Sequence, residues 1–64
     1  MKLEEAIAAV DTMVARKRYT NKSFDWWESA EQVLRESGDV FRAEIAHDAA
    51  IRAYRLEEWE ADLS

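Results

Sequence analysis

Gly38 is the only glycine in a chain that has no proline. Backbone breaks are therefore scarce, and most of the chain is free to continue in helices. The stretch "ESGDV", Glu36 to Val40, marks one sharp corner. Gly38 stands where a helix C-terminus needs a left-handed residue, and Asp39 is a strong N-cap for the helix that follows. A second, softer break lies at "YTNKS", Tyr19 to Ser23. Thr, Asn and Ser there compete for backbone hydrogen bonds and favour turns and caps. Ser23 is the expected N-cap of the next helix, or Asp25 with Glu28 closing a capping box.

These breaks delimit three helices, over about 2–18, 23–37 and 39–61. In the first, Leu3, Ala6, Ile7, Val10, Met13 and Val14 share one face, with acids early and bases late as the helix dipole favours. The second carries Trp26, Trp27, Ala30, Val33 and Leu34 on one wide apolar face. Neighbouring tryptophans need not diverge. On a helical wheel each stands about 50° from Ala30. Both are expected to be structural, Trp27 on the inner side and Trp26 reaching toward Tyr19 or a neighbouring subunit.

The third helix shows two apolar stripes. Phe41, Ile45, Ala49, Ala53, Leu56 and Trp59 form one, which we expect to face the core. Val40, Ala43, His47, Ala50, Ile51 and Tyr54 form the other, roughly opposite. A helix apolar on two sides is packed on two sides. The expected fold is an all-α, three-helix antiparallel bundle, one domain over residues 1–64, that associates through its third helix. The expected core is Ile7, Val10, Val14, Trp26, Trp27, Ala30, Leu34, Phe41, Ile45 and Leu56. The expected interface is Val40, Ala43, His47, Ala50, Ile51 and Tyr54.

Composition narrows the chemistry. Sixty-four residues without cysteine leave no disulfide or thiolate metal site to support a core that buries only about 60% of its unfolded surface. Regular packing and self-association remain as sources of stability. Fourteen acids against nine bases give a net charge of −5, which disfavours nucleic acid and anionic membranes as partners. No apolar run approaches the ~20 residues of a membrane span, and "MKLEEAIAAVD" does not have the form of a secretory signal. A cytoplasmic protein without cofactors is expected. A lone histidine, no cysteine and no glycine-rich loop leave no recognisable catalytic set, so no catalytic activity is expected.

The leading functional expectation is a protein–protein interaction module, homodimeric in its simplest form. Three alternatives are set against it. The first is an acidic inhibitor or adaptor of the phage or mobile-element type, binding a larger basic protein. The second is a metal-binding helical dimer, because Glu44 and His47 have the Glu-x-x-His spacing of carboxylate-bridged centres, although the other two helices offer no inward carboxylates to complete it. The third is a helix-turn-helix DNA binder built on the Gly38 corner, with Arg42 as its only early cation. The run Arg16, Lys17, Arg18 and Lys22 around Tyr19 is read as dipole complementation rather than a nucleic-acid patch.

The stretch from Trp27 to Ala50 is similar to a single tetratricopeptide hairpin. Trp27, Leu34, Gly38, Asp39, Ala43 and Ala50 fall at that motif's aromatic, apolar, turn and small packing positions. Glu31 stands where the motif has a small residue and Arg55 where it has proline. The resemblance covers under half the chain and occurs once, whereas such arrays need about three repeats. It implies peptide or protein binding.

Overall fold

The computed structural model describes residues 1–17 and 22–63, the last seven of these as backbone. The described residues form three α-helices: α1 (Leu3–Arg16), α2 (Phe24–Glu36) and α3 (Val40–Leu63). The all-α three-helix bundle read from the sequence is the fold observed. Arg18 and Tyr19 of the basic run, and the side chain of Trp59, lie outside the described residues.

The caps follow the local chemistry. The Ser23 hydroxyl accepts from the Trp26 N–H at 3.2 Å and starts α2, so Ser23 rather than Asp25 is its N-cap. At the other end Gly38 adopts φ +86°. Its N–H donates to the Arg35 carbonyl at 3.0 Å, and the Asp39 N–H donates to the Leu34 carbonyl at 2.9 Å. This pair of bonds is a Schellman closure. Asp39 then accepts from the Arg42 N–H at 3.1 Å and opens α3. One residue therefore closes one helix and starts the next. The first helix ends before Arg18, because Lys17 enters the left-handed region at φ 53° and its N–H donates to the Val14 carbonyl.

α2 and α3 form an antiparallel hairpin and are the most extensively packed pair. The Phe24 ring meets the Tyr54 ring edge-on, centroids 5.5 Å apart. Farther along, Glu31 meets His47 and Arg35 meets Glu44. α1 lies against the other side of the hairpin, where Arg42 donates to Asp11 through Nε at 2.9 Å and Nη2 at 3.2 Å.

The core consists of Ala6 and Val10 from α1, Trp27, Ala30 and Leu34 from α2, and Ala43, Ala46, Ala49, Ala50 and Ala53 from α3. Every residue that α3 buries among these is an alanine. Among the described residues Trp27 and Leu34 are the largest fully buried side chains, and a row of small residues opposite lets helices that carry them approach closely.

This row corrects both stripes expected on α3. Each stripe was centred roughly 90° to one side of it. Ala43 and Ala50, expected at an interface, are buried in the chain's own core. Phe41 and Leu56, expected in the core, are 77% and 47% exposed, because the alanines between the stripes take the inward direction. Ile45 is half-buried beside the row. On α1, Val14 is 53% exposed instead of buried, since Ala6 and Val10 define the inward face one turn earlier. Ile7 and Trp26 sit half-buried at the core's margin.

Candidate functional site

With the alanine row turned inward, the opposite face of α3 points to solvent. In chain order it carries Val40, Phe41, Glu44, Asp48, Ile51, Arg52 and Arg55. All of these are exposed, Val40 at 58% and Ile51 at 37%. Tyr54 stands at the edge of this face, half-exposed, and with Phe24, Ile51 and Arg55 lines a shallow open groove between α2 and α3. Of the six residues expected at an interface, Val40, His47, Ile51 and Tyr54 remain accessible. Phe41 joins them, because its ring is exposed.

His47 does not associate with Glu44 on its own helix. Its Nδ1 lies 3.1 Å from Glu31 Oε1 on α2. A carboxylate can only accept, so Nδ1 carries the proton in this contact. Glu31 is the most enclosed member of the group, with its side chain 18% exposed, and it also accepts from Arg35 Nε at 2.8 Å. Burial pushes the Glu31 carboxyl up, but hydrogen bonds from Arg35 and His47 outweigh it and hold the group below its ordinary value. Arg35 is raised in turn, chiefly by its bond to Glu31, and reaches Glu44 at 3.7 Å. Glu44 and His47 each turn to a different residue of α2, Arg35 and Glu31 respectively. Among the described residues no group of three potential ligands is gathered.

Arg42 is committed as well. Besides Asp11 it donates from Nη1 to Asp39 at 2.7 Å, and these two carboxylates raise its pKa. Arg42 also holds Asp39 below the usual carboxylate range. The only cation at the start of the would-be recognition helix is thus neutralised within the chain. Lys22, from the basic run, sits over the Trp26 ring at 5.0 Å.

The tryptophan pair divides its work. Trp27 is fully buried, while Trp26 stands edge-on to it at 5.0 Å between centroids and faces α1 across a shallow cleft that includes Ala9 and Thr12. The Trp27 Nε1–H is buried without a hydrogen-bond partner among the described residues.

Two signals for this arrangement were present in the sequence. Ala43, Ala46, Ala50 and Ala53 recur at spacings of three and four, which is a helix seam in itself. Glu31 stands on the α2 flank nearest His47, but only the hairpin register brings the two together. Among the described residues no helix is long and apolar enough to cross a membrane. Comparison with family models, curated proteins and solved structures finds no match to this chain. What the structure shares with the tetratricopeptide motif is the α2–α3 helical hairpin with its Gly38–Asp39 corner.

Proposed function

We propose that this is a cytoplasmic protein–protein interaction module, with a second copy of itself as the simplest partner and no catalytic role. One observation carries this reading. After the core has been completed by alanines, the outward side of α3 still holds Val40, Phe41 and Ile51, with Tyr54 at its edge, all open to solvent. Apolar residues grouped on one exposed face support an interaction surface. The size of the chain supports it further, since so small a core benefits from additional burial on association. Two-fold dimers are the commonest way of covering such a face.

Sedimentation equilibrium at micromolar to sub-millimolar concentration tests the reading. The expected result is twice the 7.5 kDa chain mass. Ile51→Glu is expected to return the protein to monomer with its helicity intact, because an unpaired charge in the interface costs about 3 kcal/mol or more. A fully helical wild-type monomer across that range overturns self-association.

A further inference from the structure

We infer that the outward face of α3 pairs with the same face of a second copy, the two α3 helices running antiparallel about a two-fold axis close to Ile51. This rests on the association reading above and adds its partner geometry. Over residues 44–55 the charges on the face are sorted along the helix. Glu44 and Asp48 lie on the N-terminal side of Ile51, and Arg52 and Arg55 lie on the C-terminal side. A two-fold axis perpendicular to the helix sets Asp48 of each copy beside Arg52 of the other. It likewise sets Glu44 of each beside Arg55 of the other.

Asp48, Arg52 and Arg55 make no ion pair among the described residues, and Glu44 has only the 3.7 Å approach of Arg35 with its side chain 65% exposed. A parallel pairing would place Glu44 against Glu44 and Arg52 against Arg52, which is repulsive. These pairings place the axis level with residue 50, so residues 40–60 of the Val40–Leu63 helix overlap between the copies. That overlap is about 30 Å at 1.5 Å per residue. The same axis brings the two Ile51 side chains to the centre, where an apolar contact is best shielded by the surrounding charges. Two chains of net charge −5 repel each other overall, so self-association needs local complementarity of this kind.

Two full-length variants test the geometry. Arg52→Glu with Arg55→Glu makes these four positions wholly acidic, and Glu44→Lys with Asp48→Lys makes them wholly basic. Helicity by circular dichroism confirms that each is folded, as expected for exposed positions. Each alone should associate more weakly than wild type by about tenfold or more, and an equimolar mixture should recover a heterodimer of near wild-type affinity. The wild-type dimer should also weaken as salt is raised, a readout that needs no variant. A wild-type dimer indifferent to both variants and to salt overturns the antiparallel face while leaving self-association standing. A wild type that stays monomeric overturns both.

Discussion

His47 Nδ1 lies 3.1 Å from Glu31 Oε1, so the single histidine of the chain ties α3 to α2. The carboxylate in this contact also receives Arg35, and its pKa lies below the ordinary value of 4.5. A group whose pKa is lower folded than unfolded stabilises the fold above the unfolded value. That contribution is lost as pH falls through the folded one. The wild type should therefore lose stability as pH drops below about 4.5. Glu31→Gln should be less stable at neutral pH and decline less steeply in that acid range. Thermal melts of both proteins between neutral pH and pH ~3 check this, and parallel declines would contradict it.

The fold was legible because its backbone breaks are few. One glycine followed by aspartate fixes the α2–α3 corner, and Ser23 fixes the start of α2. The inward direction of α3 was harder to read, for a physical reason. Large residues dominate any estimate of burial by area, and Phe41, Ile45 and Leu56 outweigh alanines on that measure. What decides the packing is the partner. An α2 that carries Trp27 and Leu34 leaves little space opposite, and only the alanine row fits closely. The end of α1 was harder for a different reason, since the left-handed position falls to Lys17, a residue type that gives no such signal. The candidate face was half legible. Val40, His47, Ile51 and Tyr54, expected on an outer face, are exposed, whereas Ala43 and Ala50 are buried and Phe41, expected inside, is exposed.

Gly38 tests the corner directly. A Cβ there would meet nothing within 4 Å, so the cost of substitution comes from backbone strain at φ +86° alone. Gly38→Ala should cost about 1–2 kcal/mol. In a domain this small each kcal/mol lowers the melting temperature by roughly 4–8 °C. Gly38→Asn should cost less, because asparagine tolerates the left-handed region better. Equal melting temperatures for glycine and alanine would show that the corner does not require this conformation.

The alanine row makes opposite demands of α3's two sides. Ala46 is fully buried, and Ala46→Leu forces extra methylenes into the packed core, at a cost of about 1–3 kcal/mol. Phe41→Ala, a far larger change in volume, should leave the monomer's stability within about 0.5 kcal/mol, since the ring is exposed. Chemical denaturation at concentrations where the protein is monomeric measures both. If Phe41→Ala proves the more damaging, the inward direction of α3 is the one the large side chains suggested.

Trp26 and Trp27 are neighbours in sequence and in edge-on contact, yet their removal should have unequal consequences. Trp27 is fully enclosed, and Trp27→Ala leaves a cavity between α2 and the alanine row worth about 3–5 kcal/mol. A domain of this size has little more than that to lose, so the variant should be largely unfolded at room temperature. Trp26 is half-buried, with Lys22 over one face and the α1 cleft beside it. Trp26→Ala should remain folded and melt lower, because α1 loses part of the surface it rests on while the α2–α3 hairpin keeps its own contacts. Far-ultraviolet circular dichroism during thermal unfolding separates the two outcomes. Equal damage from both substitutions would mean that α1 is as integral to the core as the hairpin is.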